Sequence, residues 1–319
     1  MKPTMTQLRL GVSTVQLMAE GDIQDYLHEL SSFVGVDILF GGPPCQGFSV
    51  AGKMNPKDAR SQLVWCFMDA VGIVKPRVFV LGNVAALAKL KRWENVREGI
   101  CQRGRSLGYD VTYAVHRVVD YSVPENRLRV LFLGVRLDIG RAKAFSARLA
   151  EKRQAPPSAR ETLLAASMYG SSDNPATCTA GIFLARHPVL RSTPYAGMLV
   201  NGGGRPINLD GLAPTLPASM GGNRTPIVDD AALQDDTKEN WFSWYHRELM
   251  AGHIQPSEVI LPSSVRRLTI KESTAIQTFP RDYHFTGCRT KQYRQIGNAV
   301  PCRFARAVAE TIRETYFPC

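Results

Sequence analysis

The sequence predicts an α/β fold in which a larger part, built from parallel α/β units, is joined by a smaller, loop-rich domain. Two observations carry this prediction. The first 140 residues alternate short apolar runs with segments of helical periodicity, as parallel α/β units do. From about residue 150 to about residue 260 the chain is rich in Gly, Pro, Asn and Thr, with little clear periodicity, which excludes a large helical domain there. With 319 residues, 44% of them hydrophobic, the chain is long enough for a sizeable core.

The first part contains four apolar runs that predict strands and two periodic segments that predict helices. We expect strands at residues 36–40, 77–81, 111–119 and 129–135, and helices at residues 62–74 and 88–107. The last two strands lie on either side of Pro124, so we expect them to be antiparallel across a turn. The basic side chains of the second helix are expected to form a solvated face.

The second part begins after an Ala-Pro-Pro linker at residues 155–157. Regular structure resumes with a short helix at residues 269–276 and closes with an amphipathic helix at residues 301–316, which has proline in its first turn. We therefore expect two domains, one formed by residues 1–155 with 289–319 and the other by residues 156–288.

Charge and cysteine content narrow the classes of function. The net charge of +11 indicates a polyanionic partner. Seven cysteines, an odd number without a close C-x-x-C pair, argue against a disulfide framework and a zinc site. No apolar stretch approaches the roughly 18 residues of a membrane span, and the first 20 residues lack the apolar core of a signal peptide. These features predict a cytoplasmic protein without a membrane partner.

The most informative segment is the string Gly-Gly-Pro-Pro-Cys-Gln-Gly-Phe-Ser at residues 41–49, which directly follows the first predicted strand. Glycines let a substrate approach the backbone closely, and prolines restrict the course of the loop. Such a loop presents the Cys45 thiol at the carboxyl edge of an α/β sheet, where ligands of these sheets bind. The alternative is a buried structural cysteine.

This string resembles the catalytic loop of the DNA cytosine-5 methyltransferases, and five further strings match that family in the family's order. Glu-Asn-Arg-Leu-Arg at residues 125–129 resembles the Gln-x-Arg-x-Arg motif, and Tyr-Arg-Gln-Ile-Gly-Asn-Ala-Val-Pro at residues 293–301 is similar to the family's last motif. The others are Glu-Gly-Asp-Ile at 20–23, Pro-Thr-Leu-Pro-Ala-Ser at 214–219 with Gly-Gly-Asn at 221–223, and the segment 267–280. From these strings the chain is identified as a member of that family.

The resemblance implies a Rossmann-like, S-adenosylmethionine-dependent methyltransferase domain at residues 1–155 and 289–319, and a target-recognition domain at residues 156–288. It implies methyl transfer from S-adenosyl-L-methionine to C5 of cytosine in double-stranded DNA, in a restriction-modification or orphan modification context. A thiolate that adds to C6 turns the ring into an enamine whose C5 attacks the sulfonium methyl group. The base must first leave the duplex.

The resemblance also assigns roles to individual residues, and no metal site is implied. The catalytic residues are Cys45, Arg127 and Arg129; the cofactor-binding residues are Asp22, Ile23, Pro43, Asn298 and Val300; the DNA-binding residues are Gln46, Ser49, Thr215 and Leu216. Alternatives stay open for several of them. Asp22 and Asn298 fit turns or caps, either arginine fits an ion-paired scaffold, and Thr215 with Leu216 fits a support for the recognition loops.

The chain departs from the family pattern at three places. No Gly-rich turn precedes Glu20, so we expect an N-terminally incomplete domain with an unpaired sheet edge and half of the cofactor pocket missing. Gly82 stands where the family has the Glu that contacts the cytosine, and loss of one such stabilising group costs roughly 10²–10³ in rate. Glu125 replaces the motif Gln.

Three hypotheses follow from these departures. The chain is an active methyltransferase, alone or with a partner chain that supplies the missing front segment. Alternatively it is a catalytically defective relative that binds DNA. A Cys-dependent enzyme acting on small nucleotides is the third, and the basic charge and the segment around Thr215 argue against it.

Overall fold

The computed structural model describes residues 30–43 and 63–318, which divide into two compact units. The first unit comprises Met1–His116, Leu128–Glu151 and Glu310–Cys319, and the second comprises Arg117–Arg127 and Lys152–Ala309. These units follow from compactness alone, so the assignment of catalytic and recognition domains stays a prediction. None of the described helices is long and apolar enough to cross a membrane.

The strands and helices are numbered here in chain order. The strands are β1 Ile38–Gly41, β2 Val78–Val84, β3 Tyr109–Arg117, β4 Glu125–Asn126, β5 Leu128–Arg136, β6 Leu184–Val189, β7 Met198–Val200, β8 Ala213–Pro214, β9 Ile227–Asp229 and β10 Val265–Arg267. The helices are α1 Leu63–Val74, α2 Ala85–Lys89, α3 Glu94–Ser106, α4 Lys143–Glu151, α5 Ala159–Leu164, α6 Asp230–Gln234, α7 Trp241–Ala251, α8 Ile270–Ile276, α9 Arg289–Asn298 and α10 Cys302–Tyr316.

The first unit is built on a four-stranded sheet with the order β1-β2-β5-β3. β1 is parallel to β2, and β5 is antiparallel to β2. All four strands predicted from the sequence are present, and the last two are neighbours as expected. Helix α1 buries Val64, Met68, Val71 and Val74, most of which pack with Phe79 and Phe132 in the core on this sheet.

One predicted element was wrong. Residues 88–107 do not form a single helix but contribute to α2, a 3-10 turn at Lys91–Trp93 and α3. Leu90 is extended between α2 and this turn, and the Trp93 side chain is fully buried. The Arg97 guanidinium donates to the carbonyls of Leu87 and Leu90 at 3.1 and 2.8 Å, which satisfies the acceptors exposed by the break. Apolar spacing continues across the break, so periodicity alone did not reveal it.

The second unit contains short strand pairs and short helices, as its composition indicates. β9 pairs with β10 and β6 with β7, both antiparallel, whereas β4 and β8 are parallel. The helix predicted at 269–276 is confirmed as α8. Its N-terminus has a capping box in which the Thr269 side chain accepts from the Glu272 amide and the Glu272 side chain accepts from the Thr269 amide.

Strand β1 lies at an edge of the described sheet. Among the described residues its one strand partner is β2. Phe40 in this strand is 71% exposed, although strands of parallel sheets are usually covered on both faces. Whether this edge is unpaired in the whole chain, as the sequence predicts, stays a prediction, since residues 1–29 and 44–62 lie outside the described ones.

Candidate active and recognition site

The Gln-x-Arg-x-Arg-like string begins in the short strand β4, Glu125–Asn126. This strand pairs in parallel with β8, so that Glu125 lies opposite Ala213 and Asn126 opposite Pro214. The Thr215 hydroxyl extends this contact by donating to the Asn126 carbonyl at 2.6 Å. The Gln-x-Arg-x-Arg-like string and the Thr-Leu string, far apart in the sequence, are therefore adjacent in the second unit.

Arg127 joins these two strings to the last motif. Its guanidinium is buried, with the whole residue only 2% exposed. Nη1 donates to Glu125 Oε1 at 3.1 Å and to the Leu216 carbonyl at 3.0 Å. Nη2 donates to the carbonyls of Gly297 and Ala299 at 2.7 and 3.1 Å. One side chain thus holds three motif segments, and we call these five residues the Arg127 cluster.

Glu125 supplies the negative charge of the Arg127 cluster. Its carboxylate is fully buried, and Oε1 also accepts the Leu216 amide at 2.7 Å. Oε2 has no hydrogen-bond partner among the described residues. Burial raises the pKa of the Glu125 carboxyl, while the Arg127 guanidinium and the Leu216 amide oppose that rise. A buried ion pair of this kind is sensitive to the loss of either partner.

Gly297 permits the closest backbone approach in the cluster. A Cβ added at this position would lie 2.5 Å from the Pro217 carbonyl oxygen and 2.6 Å from the Ala218 nitrogen. Both neighbours are backbone atoms, which cannot move aside as a flexible side chain would. Glycine is therefore required where α9 ends against the segment that follows Leu216.

The predicted DNA-binding residues differ in exposure. Thr215 is exposed, whereas the Leu216 side chain is fully buried in a hydrophobic core of the second unit. In this conformation Leu216 supports the segment, and DNA contact stays a prediction. Gln46 and Ser49 lie outside the described residues.

In the first unit, the end of β2 contacts the start of the cysteine-bearing loop. Asn83 is buried, and its Nδ2 donates to the Pro43 carbonyl at 3.3 Å while its Oδ1 accepts the Val84 amide at 2.8 Å. Cys45 itself lies outside the described residues. Sequence reasoning missed Asn83, although it directly follows Gly82 in the string compared with the family.

Comparisons with known proteins support the family that the order of the motifs indicates. The model of the C-5 cytosine-specific DNA methylases matches residues 15–314. The chain belongs to this family. It is 30% identical over 285 residues to Type II methyltransferase M1.HphI of Haemophilus parahaemolyticus, which covers 87% of this chain and 68% of that protein. It is 29% identical over 309 residues to Type II methyltransferase M.DdeI of Desulfomicrobium norvegicum, covering 87% of this chain and 72% of that one.

Solved structures of methyltransferases show the same fold. A protein described as a DNA modification methyltransferase encoded within an E. coli prophage matches with a TM-score of 0.59 at 17% identity, over 92% of this chain and 85% of that chain. The Dnmt2 methyltransferase of S. pombe matches with a TM-score of 0.54 at 15% identity, over 89% and 82%. The Rossmann-like α/β methyltransferase fold expected from the sequence is thus confirmed, as is the family.

Two of the residues predicted to bind the cofactor of this methylase lie in the described second unit. Asn298 is exposed at the end of α9, and Val300 is 37% exposed, which is unusual for valine. A free amide and an exposed apolar side chain fit a ligand that combines a charged amino-acid group with a nucleoside. Pro43 is half-buried in the first unit. Asp22 and Ile23 lie outside the described residues.

Packing against the described residues does not require glycine at position 82 of this methylase. Among them, a Cβ added there would meet Leu131 Cδ2 at 3.5 Å and the Gly41 carbonyl oxygen at 3.9 Å, both ordinary van der Waals distances. The sheet therefore has room for the first atom of the glutamate that the sequence comparison expects. Glycine in place of that glutamate therefore removes a carboxylate from this position, and the packing described above does not require the replacement.

Arg129 lies on the same face of the sheet as Gly82. In the β2–β5 register Arg129 is opposite Val84, and Gly82 is opposite Leu131. Opposed residues share a face, and so do residues two apart along a strand. The half-buried Arg129 donates to the Leu128 carbonyl at 3.0 Å, and it has no ion pair with a described carboxylate. Unlike that of Arg127, its guanidinium has no carboxylate and no distant carbonyl as a hydrogen-bond partner in the described part of the chain, and its catalytic role stays a prediction.

Proposed function

We propose that this methylase transfers the methyl group of S-adenosyl-L-methionine to C5 of a cytosine in double-stranded DNA, through a covalent adduct with Cys45 and with the target base flipped out of the duplex. The observation that carries the proposal is the Arg127 cluster. It gathers three motif segments, in a chain whose family match extends over residues 15–314. The cofactor, when bound, supplies an electrophilic methyl group.

The proposed reaction balances without a further reactant. The Cys45 thiolate donates an electron pair to C6 of cytosine, and the electrons of the C5–C6 double bond make C5 nucleophilic. C5 would then form a bond to the methyl carbon while the methyl–sulfur bond breaks, and the electron pair of that bond would remain on the sulfur of the departing thioether. A base removes the C5 proton, and the electrons of that C–H bond restore the double bond and expel the thiolate. The target must be extruded because C6 is inaccessible within the stack.

Within this proposal the two arginines have different tasks. Arg129, half-buried and without an acidic partner among the described residues, contacts the base. Arg127 positions the segments around it, since Nη1 and Nη2 are both occupied by protein acceptors. Gln46, Ser49 and Thr215 face the DNA, and Asp22, Ile23, Pro43, Asn298 and Val300 hold the cofactor. We place the reaction in the cytoplasm and in a restriction-modification or orphan modification context.

The alternative is a catalytically defective relative, or a subunit that needs a partner chain for its front segment. Two observations favour it over full activity. Gly82 offers no side chain to the base, and the exposed Phe40 lies on an edge strand of the described sheet. A strand added at that edge by another chain would pair with the backbone groups of β1 that have no strand partner among the described residues.

Covalent trapping tests the proposal. Purified chain is mixed with S-adenosylmethionine and duplex DNA that carries 5-fluorocytosine in many sequence contexts. Fluorine at C5 cannot leave as a proton, so the adduct accumulates after methyl transfer. We expect a denaturation-resistant complex with the wild-type chain and none with Cys45→Ser, which should still bind DNA.

The other outcomes separate the hypotheses. DNA binding without an adduct would favour the defective or partner-dependent relative, and addition of the missing segment as a separate chain would then distinguish those two. An adduct that persists in Cys45→Ser would show that another nucleophile acts. Loss of DNA binding in that variant would show that Cys45 is structural.

A further inference from the structure

Helix α9 presents a basic face to solvent. Tyr293, Ile296 and Gly297 are buried on its inner side. The exposed positions that share the outer side at helical spacing are Lys291, Arg294, Gln295 and Asn298. The helix contains no Asp or Glu, so nothing on it offsets the two cations, and Arg289 adds a third in the first turn.

The loop at residues 217–224 lies along the same helix. A Cβ added at Gly221 would be 3.2 Å from the Tyr293 ring and 3.5 Å from the Thr290 Cα. Arg224 on this loop is exposed. We call Arg224, Arg289, Lys291 and Arg294 the α9 surface.

The net positive charge of the second unit comes from the two chain segments that contain this surface. The unit holds 20 Lys and Arg against 14 Asp and Glu. Residues 211–228 and 283–309 contain 6 of those basic residues and no acidic one, so the rest of the unit is balanced at 14 of each sign. The entire positive excess of the unit therefore lies in these two segments.

Several cations elsewhere in the unit are paired with carboxylates. Arg266 binds Asp230 and Glu272, Arg247 binds Glu239, and Lys238 lies 3.6 Å from Asp235. Among the described residues, by contrast, no carboxylate forms an ion pair with a member of the α9 surface. Exposed cations without acidic partners can neutralise phosphates, and the release of the counterions condensed on DNA then favours binding.

We propose that the α9 surface contacts the phosphate backbone of the duplex DNA that this methylase modifies. The inference rests on the proposed function, because that function makes double-stranded DNA the polyanion present. Ten helical residues extend about 15 Å, and duplex DNA carries one charge per about 1.7 Å of its axis. The surface therefore matches a run of several phosphates. Contacts of this kind set the position of the protein on the duplex without reading its sequence.

Salt-dependent DNA binding tests the inference on the full chain. Lys291→Gln/Arg294→Gln removes two cations from the α9 surface. The control, Lys238→Gln/Arg247→Gln, removes one lysine and one arginine from the same unit, where both are paired with carboxylates. The affinity for one duplex is measured by fluorescence anisotropy at several salt concentrations, and thermal unfolding shows that each variant is folded.

We expect the slope of log affinity against log salt to become shallower by about 2 in the first variant, with a roughly 10- to 60-fold weaker affinity near 0.1 M salt. The control should keep the wild-type slope. An unchanged slope in the first variant, while the wild type binds and traps DNA, would overturn the inference and leave the proposed function intact. A change seen with an RNA duplex but not with DNA would also overturn it. A wild-type chain that binds no DNA would instead contradict the proposed function.

Discussion

The Arg127 cluster and the sheet face around Gly82 differ in how their charged groups are satisfied. In the cluster, the buried guanidinium has four acceptors, one of which is a carboxylate. On the sheet face, Arg129 has only its neighbour's carbonyl, and the adjacent Gly82 provides no side chain. The cluster is thus built to hold motif segments in place. The sheet face is largely buried, with Gly82 and Arg129 half-buried at its end, and it is where the chain departs most from its family.

The largest expected effect comes from Arg127→Ala. It leaves the Glu125 carboxylate buried without its cation and three carbonyls without a donor. Breaking a buried pair in this way costs roughly 3–5 kcal/mol of stability, measurable by urea unfolding. Arg129→Ala is the matched comparison, and it should cost less than about 1 kcal/mol in stability while reducing methyl transfer. Equal losses of stability would show that the two arginines do not differ in role.

Gly82→Glu is expected to have the next largest effect. The position has room for a Cβ, and a carboxylate there would lie on the face that carries Arg129. If the rest of the pocket is complete, the rate of methyl transfer should rise by roughly 10²–10³. The measurement is single-turnover transfer, with Gly82→Gln as the uncharged control of similar size. No gain would show that the absence of this carboxylate is not what limits the rate.

Asn83→Ala tests the contact between β2 and the cysteine-bearing loop. Removal of the bond to the Pro43 carbonyl should cost about 1 kcal/mol in stability. Because the loop carries Cys45, the maximal rate of adduct formation should fall more than DNA affinity does. An equal fall in both would indicate general unfolding rather than loss of loop position. Asn83→Asp keeps an oxygen that accepts the Val84 amide but loses the Nδ2 donor to the Pro43 carbonyl, so it tests the hydrogen bond to Pro43 alone.

Glu125→Gln is expected to have the smallest effect, which appears as a change in how the free energy of unfolding depends on pH. Burial raises the pKa of the Glu125 carboxyl above its ordinary 4.5, so folding favours the protonated form. The stability that this group contributes is then complete below about pH 4.5 and is lost as pH rises through the raised pKa. Glutamine does not titrate. The unfolding free energy of the variant relative to wild type should therefore increase from pH 4 to pH 7, by about 1.4 kcal/mol per unit of pKa shift. A decrease would mean that the ion pair with Arg127 outweighs burial.

Local patterns predicted much of the fold because they depend on neighbouring residues. The strands before Pro43 and around Phe79 and Phe132, the capped helix α8 and the last helix were all expected from apolar runs and capping residues. The break at Leu90 was not, since it depends on the burial of Trp93 and on hydrogen bonds from the Arg97 side chain. Asn83 was missed for the same reason, because its role depends on a bond to Pro43, 40 positions earlier in the chain.

The sequence by itself determined the family, the α/β class and the identity of the candidate residues, because motif order and residue chemistry are written in the chain. Only the tertiary structure decided which of those residues are buried supports and which are free to act. Arg127 and Arg129 are two positions apart and chemically identical, yet one is enclosed by carbonyls from distant segments and the other is half-buried at the end of a sheet face. Burial and hydrogen bonding depend on contacts between segments far apart in sequence, and no local pattern records them.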